Sequence, residues 1–247
     1  MQTDTARLAG VTTLGLGGRG PRQAFVFDPH RLALPCWALA GGPALLVTLD
    51  RHLDLVPPRS PPARGSSALA LDAWARLEGD VRNLDHVLAA MEAGVVTDAL
   101  VVARARLPEC VTADWKDSHG TLHRIVVTAT VDQLSADFGT PRASPESRRA
   151  AELLAAAERV LLDVDLDCFT SPSDADPTAA VPWPQALIRE HLLPRGSKAF
   201  WDAVLARCVM LTFAREPGHC GGLIAAGRLF EAAATVVFEE LLETDLP

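Results

Sequence analysis

No apolar run in this chain of 247 residues is long enough to cross a membrane. Its five cysteines (Cys36, Cys110, Cys168, Cys208 and Cys220) are dispersed and odd in number. None stands as Cys-x-x-Cys, which leaves out a zinc ribbon and a thioredoxin-type site and reads as reduced thiols. Cys168 and Cys220 read as small packing residues rather than nucleophiles. Basic residues are outnumbered 31 to 23, for a formal net charge of −8, so the basic face that nucleic acid requires is missing. Met1-Gln2-Thr3-Asp4 has no basic stretch leading into an apolar core, so no secretory signal is expected and the reading is a cytoplasmic protein. No internal repeat and no strong domain boundary is visible, and residues 1–247 are expected to form one domain with a sizeable core.

Two acidic clusters follow two apolar runs. Leu45-Leu46-Val47-Thr48-Leu49 leads into Asp50-Arg51-His52-Leu53-Asp54, and Val160-Leu161-Leu162 leads into Asp163-Val164-Asp165-Leu166-Asp167. Short apolar runs of this kind read as buried strands of a parallel sheet. The carboxyl ends of such strands are where open α/β sheets bind ligands. Five aspartates beside a core are costly unless cations or hydrogen bonds neutralise them. Carboxylate and imidazole at alternating positions suit a metal, and two clusters suit two metals. Alternation along a strand would turn Asp50, His52 and Asp54 to one side, and Asp163, Asp165 and Asp167 likewise.

Other elements alternate around these strands. Strand signals fall at Ala24–Phe27, Asp98–Ala103, Leu122–Thr130 (as one of a more exposed pair) and Val209–Ala214. Helix signals fall at 31–40, 85–93, 147–159, 197–206 and 223–242. The segments to Gly20, from Pro57 to Ser67 and from Thr170 to Trp183 read as loops, the first as a loop or edge element. The expected fold is α/β, a three-layer α/β/α sandwich with a mainly parallel central sheet.

Polar residues thus close four strands in order: Asp28-Pro29-His30, Asp50-Arg51-His52-Leu53-Asp54, Asp163-Val164-Asp165 and Glu216-Pro217. That order resembles the arginase–agmatinase superfamily over about residues 24 to 222. The run Asp163-x-Asp165-x-Asp167-x-Phe169 and the segment from Asn83-Leu84-Asp85-His86 to Met91-Glu92-Ala93-Gly94 look closest to the branch containing peptide arginases. The resemblance implies an arginase-like fold with two Mn2+ per chain. One ion would take His30, Asp50, Asp54 and Asp163, the other Asp50, His52, Asp163 and Asp165. Two cations so placed can share a water and lower its pKa, making it the nucleophile.

Asp167 falls two residues after Asp165 where the family pattern has an Asp three residues on. It reads either as an acceptor orienting a ligand or as a solvent-facing cap. Glu216 would accept the guanidinium, His86 would supply the proton to the leaving amine, and His219 would touch substrate. His119 and His123 are rival proton donors, and His191 has no supporting pattern. In place of the polar loop that grips free arginine, this chain has Leu55-Val56-Pro57-Pro58-Arg59-Ser60-Pro61-Pro62. That departure fits an arginine-containing, ribosomally made peptide, converted to ornithine and urea. A free-arginine or agmatine ureohydrolase, a deacetylase-like metal amidohydrolase and a non-catalytic metal-stabilised binding protein are the alternatives. Monomer and homodimer both remain open, and neither a nucleic-acid nor a membrane partner is expected.

Overall fold

A computed structural model of the chain describes residues 8–16, 20–21, 23–105, 107–173 and 179–243. The N-terminal tetrapeptide and part of the Thr170–Trp183 segment lie outside them. The strands are β1 (Thr12–Gly15), β2 (Gln23–Phe27), β3 (Ala44–Asp50), β4 (Val96–Ala103), β5 (Trp115–Lys116) and β6 (Leu122–His123). They continue with β7 (Ile125–Thr128), β8 (Val160–Asp165), β9 (Thr170–Pro172), β10 (Ala180–Pro182) and β11 (Cys208–Ala214). The α-helices are α1 (Ala33–Ala38), α2 (Ala68–Leu77), α3 (His86–Glu92) and α4 (Val131–Ser135). To these are added α5 (Pro145–Ala156), α6 (Gln185–Leu192), α7 (Lys198–Leu205) and α8 (Leu223–Thr235). None of the helices is long and apolar enough to cross a membrane, among the described residues.

Seven strands make one sheet in the order β1-β2-β11-β8-β3-β4-β7, parallel throughout except for the edge strand β1. From β3 the chain winds outward through β4 to β7, then returns so that β8 pairs with the other side of β3. This reversal is a topological switch point, the place where parallel sheets open a crevice at their carboxyl ends. Both acidic clusters leave the sheet there.

Alternate residues of each strand serve the two faces. Leu45, Val47, Leu49, Leu162, Val164, Leu211 and Phe213 pack with α4 to α8. Leu46, Leu161 and Met210 pack with α1, α2 and α3 through Leu34, Trp37, Leu71, Val87 and Met91. The three-layer α/β/α expectation is met. Burial on both faces explains why these strands read as unbroken apolar runs rather than as alternation.

Several boundaries differ from the sequence reading. The stretch 31–40 divides into a 3-10 turn, His30–Leu32, and α1. Leu122–Thr130 divides into β6, which pairs with β5 as a small hairpin, and β7, which is the far edge of the main sheet. The Thr170–Trp183 segment holds the antiparallel pair β9 and β10. The α2 and α6 helices have no counterpart in the reading; α2 follows the Pro-rich loop, where the Ser67 hydroxyl accepts from the Ala70 amide as its cap. The last helix passes into a π-helical turn, Val236–Leu241.

Phe213 is fully buried, with ring centroids 5.5 Å from Phe230 and 5.8 Å from Phe238, so it ties β11 to the last helix. Phe213→Ala is expected to destabilise the fold by about 3–5 kcal/mol, measured by denaturant unfolding. A loss under about 1 kcal/mol would show that this core is not packed as described.

Candidate metal centre

The centre is built on the sheet face covered by α1 and α3. Register places Thr48, Asp163 and Thr212 side by side across β3, β8 and β11. Asp50 and Asp165 lie two residues further on, at the strand ends. Thr48 Oγ1 donates to Asp163 Oδ2 at 2.8 Å and Thr212 Oγ1 donates to Asp163 Oδ1 at 2.5 Å. Trp37 Nε1 in turn donates to Thr212 Oγ1 at 3.1 Å.

His30 stands in the middle. Its Nε2 lies 2.8 Å from Asp163 Oδ2. Its Nδ1 lies 3.1 Å from Asp54 Oδ2, 3.1 Å from Asp165 Oδ2 and 3.3 Å from Asp50 Oδ2. Beyond Asp50 the chain leaves strand geometry, and Asp54 adopts φ +51°. The expected alternation from 50 to 54 is therefore replaced by a turn that curls Asp54 back onto His30. His52 faces the other way, with Nδ1 3.2 Å from Asp167 Oδ2 and 3.9 Å from Asp50 Oδ1.

Two groups of potential ligand atoms follow, joined at Asp50: His30, Asp50 and Asp165, and then Asp50, His52 and Asp167. Asp54 belongs with His30 and His86 in a third. The donor set is oxygen and imidazole nitrogen, which suits hard to borderline divalent cations. His30 Nδ1 and Asp50 Oδ2 are buried without any hydrogen-bond partner, which is costly unless a cation completes them. The residues present fit a metal.

Asp163, common to both expected ligand sets, falls in none of these groups. Asp163 is fully buried and lies one pleat below the strand ends, with both oxygens taken by Thr48, Thr212 and His30. It holds the His30 imidazole at Nε2. Asp167 is not the solvent-facing cap considered above: its side chain is 1% exposed, and Oδ1 accepts from the Arg51 amide at 3.1 Å. The cap of the short turn Leu166–Phe169 is Asp165, whose Oδ1 accepts from the Asp167 amide. Asp167 is thereby freed to meet His52.

Charge crowding governs the protonation of the metal-free centre. Burial opposes charge on His30, yet Asp163 and Asp165 beside it raise its pKa well above the usual value. Burial would raise Asp50, but His30 and then His52 close beside it bring it down to about 2. The hydrogen bond to Asp167 lifts His52 to about 9 despite its burial. Burial, with the neighbouring charges of Asp50 and Asp167 respectively, raises Asp54 and Asp165 well above the carboxylate range. The nearby thiols are also pushed up, Cys168 by burial and Asp167, Cys220 by burial and Asp165.

A cleft of about 190 Å³ opens over the centre, lined by His52, Asp54, Asn83, Asp165, Glu216 and His219 among others. Glu216 has φ +40°, and its Oε1 accepts from the His30 amide at 2.6 Å and from Asn83 Nδ2. Its Oε2 lies 3.5 Å from Nε2 of His219, whose side chain is half exposed. Burial raises the Glu216 pKa. Arg215, next in sequence, pairs with Asp28 instead.

His86 does not border the cleft. It is fully buried behind His30, with ring centroids 4.2 Å apart, and its Nδ1 lies 2.8 Å from the Asn83 carbonyl. Burial and then the charge of His30 lower it to about 3. His123 is held near the opposite end of the sheet, by the Thr97 carbonyl at 2.6 Å and Asp117 at 3.3 Å. His119 sits in the same hairpin turn, its amide donating to Asp117. His191 packs edge-on against Phe169 and Trp183, and burial lowers it to about 4. Asn83, Thr48 and Thr212 were missed as site residues. A threonine inside each of two apolar strands, level with an aspartate, was the available signal.

Fold and site together define an α/β protein with a metal-capable His/Asp centre at the switch point of its sheet. No protein-family model matches the chain. No curated protein matches it either. Among solved structures it is similar to arginase from Bacillus cereus, at 16% identity over 88% of this chain and 69% of that one, with a TM-score of 0.42. It is also similar to the agmatine ureohydrolase of Thermoplasma volcanium (13% identity, 87% and 63% covered, TM-score 0.38). Arginase from Bacillus subtilis gives 15% identity, 84% and 70% covered, and a TM-score of 0.36. The assignment of the centre rests on the geometry above.

Because His30, His52, Asp54 and Asp165 all titrate above their usual values, cation uptake must displace protons. Apparent metal affinity is therefore expected to rise from pH 6 to about 9, the value at which His52 loses its proton. Calorimetry in buffers of different ionisation enthalpy measures the protons released; pH-independent affinity would contradict the protonation described. Asp167→Asn should remove one bound cation by metal analysis, while Asp163→Asn should keep both and bind them more weakly.

Proposed function

We propose that this chain is a two-metal hydrolase that converts arginine side chains in a peptide to ornithine and urea, with manganese as its cation. The observation that carries the reading is the pair of metal-capable groups joined at Asp50, beneath a cleft walled by the Glu216 carboxylate. Two bound cations would supply a water of lowered pKa and neutralise the crowded aspartates. His30, Asp50, Asp54 and Asp165 would hold one, and Asp50, His52, Asp165 and Asp167 the other.

Glu216 has one oxygen fixed by the His30 amide and Asn83, which leaves Oε2 toward the cleft. A carboxylate so anchored can accept a guanidinium and hold its carbon over the centre. Water adds its oxygen to that carbon, the bond to the side-chain nitrogen breaks, and the departing amine takes up a proton. His219 is the imidazole placed to deliver it, in the role first given to His86.

A peptide is favoured over free arginine because of the chain after Asp54. Leu55 is buried, and its carbonyl accepts from the Val111 amide, while the Val56 amide donates to the Leu84 carbonyl. Leu55 and Val56 therefore offer no polar side chain for an α-amine or α-carboxylate, and no residue from 55 to 62 lines the cleft itself. An arginine within a peptide carries neither group.

The manganese-loaded protein should be incubated with an arginine-containing peptide, with free arginine and with agmatine. Urea release, with loss of CH2N2 from the peptide by mass spectrometry, is expected for the peptide. Urea from none of the three would overturn the reading, and urea from free arginine alone would overturn the choice of substrate. Glu216→Gln is expected to lower kcat/KM by about 100-fold or more while leaving the metal content unchanged.

A further inference from the structure

The cleft alone suits a side chain and not the rest of a peptide, since 190 Å³ falls below the roughly 300–1,000 Å³ of ordinary ligand pockets. A second cavity of about 570 Å³ adjoins it, and Arg82 lines both. Arg82 Nη1 donates to Glu109 Oε1 at 3.1 Å and Nη2 to Asp80 Oδ2 at 3.3 Å, so the side chain spans from its own loop to a second segment. It is 58% exposed, and ion pairs in such a setting hold a side chain weakly.

The backbone around Arg82 is fixed. The Asp80 amide donates to both oxygens of Asp85, the Asn83 amide to the Asp80 carbonyl, and Asn83 Nδ2 to Glu216. The guanidinium can thus swing while its loop stays in place. The larger cavity is walled by Glu78, Asp80, Asp85 and Glu109 against Arg59 and Arg82, so acid is in excess. When Arg82 swings out, Glu109 loses its cation and Asp80 keeps only the charge of Arg59.

We propose that Arg82 is a specificity gate: its guanidinium stands between cleft and cavity on Asp80 and Glu109, and a cationic residue flanking the target arginine of a peptide takes its place. The gate rests on the reading of the cleft as a guanidine site, and it adds the class of peptide that enters. A basic neighbour replaces one cation with another. An acidic neighbour must approach two carboxylates whose partner has left.

The test uses the metal-loaded full chain and three peptides that share one arginine, flanked by lysine, alanine or glutamate. Dissociation constants come from calorimetry, and ornithine formation is followed separately. The lysine peptide should bind about two- to fivefold more tightly than the alanine peptide, and the glutamate peptide most weakly. Glu109→Gln should reduce the lysine advantage, and Arg82→Ala should tighten binding of the alanine peptide. Both changes fall on exposed side chains, so the fold should survive them. Affinities indifferent to the flank, a lysine advantage unchanged by Glu109→Gln, or no binding of any peptide would overturn the gate. Flank-dependent binding without ornithine would keep the gate and remove the ureohydrolase reading; ornithine without flank dependence would do the reverse.

Discussion

Five aspartates around two imidazoles, nearly all out of reach of water, set the terms for the rest of this structure. Such a group repels itself, and every surrounding element answers that repulsion. Threonines from two strands, the amides of His52, Arg51 and Asp167, and the imidazoles of His30 and His52 each take a share of the negative charge. What they leave unmet lies at His30 Nδ1, Asp50 Oδ2 and His86 Nε2. Divalent cations would satisfy that remainder by binding the carboxylates and imidazoles directly.

The sheet acts as a ruler for this arrangement. A step of two residues along β8 separates Asp163, which is enclosed between threonines, from Asp165, which reaches the strand end. Side chains on one strand face differ in depth by a pleat, so identical residues acquire different work. A second constraint comes from positive backbone φ at Asp54, Asn83 and Glu216. Each turns a polar side chain toward the centre at a strained position, which persists only when surrounding bonds over-determine it. The bond between Asn83 and Glu216 ties two of those positions together.

Much of this was legible in the sequence. The buried strands announced themselves as apolar runs, and the fold class followed from their alternation with helices. The early His, the paired acidic clusters and the late Glu all meet in space. What could not be read was where a strand stops. Assuming that β3 and β8 ran on to residues 54 and 167 put Asp50, His52 and Asp54 on one side, whereas the chain turns at both strand ends. The burial of His86 was hidden for a related reason. It opens a helix, which usually implies exposure, but α3 is buried at every residue under the first layer. Depth is a property of the layer, and a helix of seven residues carries too little pattern to reveal it.

The cysteines have a consequence for which ion the centre can keep. Cys168 and Cys220 are fully buried near the aspartates, and those same charges hold their protons on. A thiol competes for a soft ion only as thiolate. Neither Sγ joins the groups of potential ligand atoms, so among the described residues the centre offers a cation carboxylate oxygen and imidazole nitrogen alone. A soft ion such as copper(I) would gain no thiolate from that set, which tilts the centre toward harder divalent cations.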